Sequence, residues 1–145
     1  MNIKVLGATL LSKEEYNANS DIIKELWQGV TWWTRSKGWE GDDYACIVST
    51  SLHDRGDVVD REFAVRPAIE LDFRRLSKGT KVSYAGETFT VLEDGLALCD
   101  GLVRMMAFRA DRSAPNANEY ESSDIKNWVE AWFSRNGDEA EVVEE

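Results

Sequence analysis

The chain reads as one α+β domain over residues 1–137, a twisted antiparallel sheet with two or three flanking helices. An acidic tail over residues 138–145 follows and is expected to be mobile. Three observations predict this. Short runs of β-branched and aromatic residues recur between turns rich in Gly, Asn and Asp. Helix-capping residues stand ahead of apolar positions at helical spacing. The 145 residues, 43% hydrophobic with six tryptophans, show no strict repeat and are enough for one buried core.

Ile3 to Leu11 reads as the first strand. Ser12-Lys13-Glu14-Glu15 is a capping box, in which the serine hydroxyl takes an orphan amide and Glu15 reaches back, so a short helix follows to about Asn17. Ser20 is a second cap, ahead of Ile22, Ile23, Leu26 and Trp27 at helical spacing, and Gly29 ends the turn. Trp32 and Trp33 lie on a short strand or extended bend, followed by a polar loop over Gly38 to Asp43. Tyr44 to Thr50 is strand-like, Ser51 to Asp60 a charged loop, and Glu62 to Leu71 a long strand. Pro67 within that strand calls for an edge, a bulge or a break, because proline has no amide to donate.

Lys81 to Tyr84 and Thr88 to Leu92 form a hairpin around Ala85-Gly86. Leu96 to Cys99 and Val103 to Phe108 are two further strands, and Asp111 to Glu119 is a loop. The last helix is capped by Ser122 or Ser123, with Asp124 in its first turn where the helix dipole favours an acid. Ile125, Trp128, Val129, Trp132 and Phe133 then make one apolar face before Asn136-Gly137 stops it.

The net charge is −10, and five of the acids lie in residues 138–145, so the body is acidic too. Such a surface repels nucleic acid and anionic membrane and attracts basic partners. The one local basic cluster is Arg74, Arg75 and Lys78, so direct nucleic-acid binding is not expected. No signal peptide or membrane-spanning run is visible, and Cys46 and Cys99 lie apart in strand-like segments as buried thiols; a cytoplasmic protein is expected.

Several motifs recur in an order of their own. Leu11-Ser12-Lys13-Glu14-Glu15-Tyr16, Trp32-Trp33-Thr34-Arg35-Ser36, Ala45-Cys46-Ile47-Val48 and Val65-Arg66-Pro67-Ala68-Ile69 resemble motifs of a bacterial and phage family of unknown function, typified by WWLRS and GVRPAL. Thr34 replaces the usual Leu, and Ala64 stands where Gly is common. Gly86–Leu92, Asp94–Leu98 and Tyr120–Val129 resemble pieces that precede these motifs in the family, so the halves look exchanged as in a circular permutation. The resemblance implies a C-type-lectin-like scaffold, shared with relatives of the formylglycine-generating enzyme, whose paired cysteines have no match here. It implies no activity.

Few residues carry chemistry. A Ser-His-Asp or Cys-His centre would need His53, the only histidine, which reads as a surface residue beside Asp54 and Asp57. Phosphate-binding and metal-ligand spacings are missing, and no cofactor or metal is expected. The candidate contact residues are Trp39, Glu40, Asp42 and Asp43 in one polar loop and Asp54, Asp57 and Asp60 in the next. Trp32, Trp33, Arg35, Arg66, Trp128 and Trp132 read as structural core. The resulting expectation is a non-catalytic protein-binding module of prokaryotic or phage origin. The alternative is an acidic phage inhibitor that occupies the cationic channel of a host defence nuclease, and a carboxylate-based hydrolase comes third.

Overall fold

The computed structural model describes residues 1–26, 29–49, 54–72, 76–93 and 95–144, and within them the strands sort into two sheets. One closes into a barrel. Strand β1 (Asn2–Thr9) is flanked by β11 (Glu139–Glu144) and β6 (Ala68–Leu71), and β7 (Lys81–Tyr84), β8 (Glu87–Val91) and β9 (Leu96–Cys99) complete the antiparallel ring. The second sheet runs β10 (Arg104–Ala107), β5 (Glu62–Val65), β2 (Trp32–Lys37), β3 (Tyr44–Val48), β4 (Asp54–Val58), with β2 and β5 parallel. The protein is thus mostly sheet with few helices, and the single antiparallel sheet expected from sequence is corrected to a barrel beside a mixed sheet.

Pro67 marks where the two meet. The run read as one strand over 62–71 is two: β5 belongs to the mixed sheet and β6 to the barrel, and the chain crosses between them at Arg66-Pro67. A residue without an amide proton cannot continue a ladder, so the ladder ends where the chain changes sheets.

Two further corrections follow from period-2 patterns hidden under charge. The segment read as a mobile tail is β11, in which exposed Glu139 and Glu141 alternate with inward Ala140 and Val142. It closes the barrel and leaves no open edge there. The charged loop read at 51–60 contains β4, whose Gly56 lies opposite Cys46 and whose Val58 is buried. Residues 51–53, including His53, lie outside the described residues.

Helix α1 (Lys13–Ala18) starts at the capping box: Ser12 Oγ accepts the Glu15 amide at 3.0 Å, and Glu15 Oε1 accepts the Ser12 amide at 2.9 Å. Helix α2 (Ser20–Ile23) is capped at Asn19 rather than at Ser20, and it runs into a 3₁₀ turn at Lys24–Leu26. Trp27, read as part of that helix, and Arg74 and Arg75 of the basic cluster lie outside the described residues. Among the described residues no helix is long and apolar enough to cross a membrane. The β7–β8 hairpin turns through Ala85 and Gly86, both left-handed at φ 55° and 77°, which matches the twist of the two strands.

Helix α3 (Asp124–Asn136) is capped by Ser123, whose hydroxyl accepts the Lys126 amide at 3.1 Å. Its apolar face serves two cores. Ile125 and Val129 pack with Trp33, Ile47 and Phe108 under the mixed sheet, while Trp132 enters the barrel core with Tyr84 and Phe89. Trp128, half-buried, stacks on Trp132 and carries the Arg104 guanidinium over its ring. A third core joins Leu11, Tyr16, Ile23, Trp32 and Leu98. Cys46 and Cys99 are buried in different sheets, and burial pushes the Cys99 thiol up to about 11.

If β11 closes the barrel, a chain lacking residues 139–145 exposes the flanks of β1 and β7. Its melting temperature is expected to fall by about 10 °C or more, or its unfolding to lose cooperativity, as followed by circular dichroism. A melting curve unchanged by the truncation would contradict the closed barrel.

Candidate functional site

The chain between β2 and β3 turns at residues 38–43, where Gly38 donates to the Tyr44 carbonyl at 2.7 Å and Tyr44 donates back to Gly41 at 3.2 Å. At the apex, Trp39 is 82% exposed, the most exposed of the large hydrophobic side chains described. A lone exposed apolar residue is ordinary, but an indole offers a large contact area at small entropic cost.

Glu40, beside it, turns the other way. Its Oε2 accepts the Gly56 amide of β4 at 2.9 Å, and its buried Oε1 lies against Gly38 and Gly56. A Cβ on Gly56 would stand 2.5 Å from Glu40 Oε1 and 3.1 Å from Gly38 Cα; a Cβ on Gly38 would stand 2.8 Å from the same oxygen. The two glycines leave the niche that Glu40 occupies, while Trp39, its neighbour on the turn, stays exposed.

A third segment fastens the tip from below. Asn118 is buried; its Nδ2 donates to the carbonyls of Gly41 at 3.1 Å and Tyr44 at 3.0 Å, and its amide donates to Asp42 at 2.9 Å. Arg112 Nε donates to Asp43 Oδ2 at 2.7 Å, and the Val59 amide donates to the Asp43 carbonyl at 2.9 Å. The hydrogen bond from Arg112 holds the Asp43 carboxyl below the usual range, and in return Asp43, with Asp60 adding its field, raises Arg112.

The seven residues singled out in the sequence therefore divide. Trp39, Asp42 and Asp60 are exposed. Glu40 is a strut of the loop, Asp43 is bonded to Arg112, and Asp57 caps the Val58 amide at 2.7 Å and pairs with Arg61 at 3.4 Å. Asp54 opens β4. With Glu40 drawn into the niche and Asp43 to Arg112, the carboxylates of 40, 42 and 43 do not converge, and the described residues hold no cluster of three metal-ligating side chains.

Sequence reasoning missed Asn118 and Arg112, which sit in what reads as a plain polar loop. No local signal marks them, because Arg112 bonds a residue 69 positions away and Asn118 one 77 positions away.

The core arginines take different places. Arg66 is buried over the Trp32 ring at 4.9 Å and donates to backbone carbonyls. Arg35 is partly exposed; its Nη1 donates to the Leu10 carbonyl and to Glu15 Oε1, both at 2.6 Å. Burial raises the Glu15 carboxyl, but the hydrogen bonds from Arg35 and Ser12 outweigh it and leave Glu15 below its ordinary value.

The niche makes a test. Gly56→Ala is expected to cost about 1–3 kcal/mol by crowding Glu40 and Gly38. In chemical denaturation, Glu40→Ala is expected to cost less in the Gly56→Ala background than alone, a coupling of about 0.5 kcal/mol or more. Additive losses would mean that Glu40 does not occupy the niche. A comparison of the chain with protein-family models, curated proteins and solved structures finds no match.

Proposed function

We propose that this protein is a non-catalytic, cytoplasmic protein-binding module that meets its partner through the β2–β3 tip, with Trp39 as the anchor. The observation that supports this is an 82% exposed tryptophan on a backbone tied down by Glu40, Asn118 and Arg112. Tryptophan is among the residues that dominate interface energetics, and a contact loop already fixed before binding loses little entropy on binding. Exposed Asp42 and Asp60 flank this region in a chain of net charge −10, which favours a basic partner surface.

A second reading has its own support. Glu139 and Glu141 are exposed on β11, so these carboxylates are held at fixed positions two residues apart on the barrel wall. An acidic phage inhibitor that occupies the channel of a nucleic-acid-binding enzyme requires carboxylates fixed in this way. The relation to the WWLRS–GVRPAL family, and through it to a C-type-lectin-like scaffold, is likewise a proposal. It rests on the motifs, whose Trp32, Ala64 and Ala68 share one core.

The readings separate in capture from nuclease-treated bacterial lysate at low and high salt. For the leading proposal, Trp39→Ala leaves thermal stability within about 0.5 kcal/mol. It weakens the captured partner by about 2 kcal/mol or more, roughly 30-fold. A partner retained by Trp39→Ala but lost at high salt would support the acidic inhibitor. A partner indifferent to both would contradict both.

A further inference from the structure

Gly7 is a glycine that its own strand does not require. It lies inside β1, at the register shift that follows Val5, and its partner across the ladder is Glu70. Glycine weakens a strand interior, so its presence there usually answers a left-handed bulge or a close approach of other atoms. Neither applies. Gly7 does not have a positive φ, and a Cβ built on it would meet nothing within 4 Å. A side chain at this position would stand in open space.

Gly7 lines a cleft of about 280 Å³. Its barrel side is Gly7, Glu70 and Leu96; its other side is Glu15 of α1 and Arg35 of β2. The barrel residues form one row across three strands, because Glu70 pairs with Gly7 on one flank and with Leu96 on the other. Ile69 and Leu71 are buried in the barrel, so Glu70 between them points outward and is exposed. At the opposite end, Arg35 Nη1 donates to the Leu10 carbonyl and to Glu15 Oε1, both at 2.6 Å. Leu10 is three residues from Gly7, at most about 10 Å of extended chain. The cleft is therefore short enough for one small molecule to occupy.

The lining carries two carboxylates and one guanidinium. Arg35 is already paired with Glu15, and both hydrogens of its Nη1 are used. Glu70 forms no ion pair among the described residues, so the uncompensated charge is its own. An anion would meet two carboxylates. A bare metal ion needs several ligating side chains together, and the described residues hold no cluster of three. A primary ammonium brings one positive charge and three donors. Arg35 repels it from the far end and leaves it to Glu70. Half-buried Leu96 and the bare backbone at Gly7 give a short aliphatic stem an apolar strip to lie on. A side chain on Gly7 would fill that strip, which accounts for the glycine.

We propose that this cleft binds a primary ammonium on a short aliphatic stem, the chemistry shared by a lysine side chain and a small alkylamine, with Glu70 as its counter-ion. The cleft shares no residue with the turn at 38–43, so the proposal does not rest on the Trp39 contact.

The test follows the backbone amides of Gly7, Glu70 and Leu96 in the isotope-labelled full chain during titration with n-butylammonium chloride. Sodium chloride and tetramethylammonium chloride at matched ionic strength are the controls; the second carries the charge but no donor. Butylammonium is expected to shift these amides saturably below about 50 mM, and the controls are not. Glu70→Gln, a change on an exposed side chain, is expected to weaken binding about tenfold or more, read at Leu96. Gly7→Val fills the cleft and is expected to abolish the response at Leu96 in a chain that stays folded. A lysine blocked at both backbone ends then identifies the source. Binding tighter than that of butylammonium assigns the site to a partner's lysine, and weaker binding assigns it to a free amine. No saturable shift up to about 50 mM butylammonium, or an equal shift with tetramethylammonium, would overturn the proposal. So would undiminished binding in Glu70→Gln or in folded Gly7→Val.

Discussion

Two consecutive tryptophans on one strand set the terms for the whole molecule. On a strand, neighbours point to opposite faces, so Trp32 and Trp33 can both be buried only if β2 is covered on both sides. One side is closed by α1, α2 and the barrel strands behind Leu92 and Leu98, the other by α3, Phe63 and Phe108. That requirement puts β2 at the centre of the mixed sheet and fixes where the helices lie. The indole of Trp33 adds a hydrogen bond from Nε1 to the Met106 carbonyl at 3.0 Å, which ties β10 to the same centre.

From that centre the arrangement of the tip follows. β2 and β3 are held by their buried faces, and the register shift between Trp33 and Lys37 leads the ladder to the turn at 38–43. A turn springing from such a strand pair begins with little freedom of its own. The Glu40 niche and the Asn118 clamp then remove most of what remains, and the indole of Trp39 is left outside. The fixed, exposed tip is therefore a consequence of core packing carried outward through hydrogen bonds, which is the rigidity that the proposed contact requires.

What the sequence makes legible is local. The Ser12–Glu15 box, the Ala85-Gly86 hairpin and the Ser123-capped face of α3 are each encoded within a few residues, and each is present as read. What it hides is non-local or masked by charge. Barrel closure joins β1 to β11 across almost the whole chain, and no window of sequence records that pairing. β4 and β11 alternate correctly, but their outward Asp, Arg and Glu positions read as loop and tail. At Pro67, edge, bulge and break all suited the residue, and only the two sheets decide between them. The site was half legible for the same reason. Trp39 stands out from its polar flanks, whereas the inward turn of Glu40 depends on Gly56, sixteen residues away, and the clamp on Asn118, more than seventy.

The hydrogen bonds from Glu40, Asn118 and Arg112 make the tip a fixed platform rather than a flexible loop. Amide hydrogen exchange, resolved residue by residue by NMR, tests it most directly. In a fixed tip the amides of Gly38, Gly56, Val59 and Asn118, all bonded within it, are expected to be protected together, while that of Trp39 exchanges freely. Exchange at Gly38, Gly56 and Asn118 as fast as in an unstructured chain would contradict it.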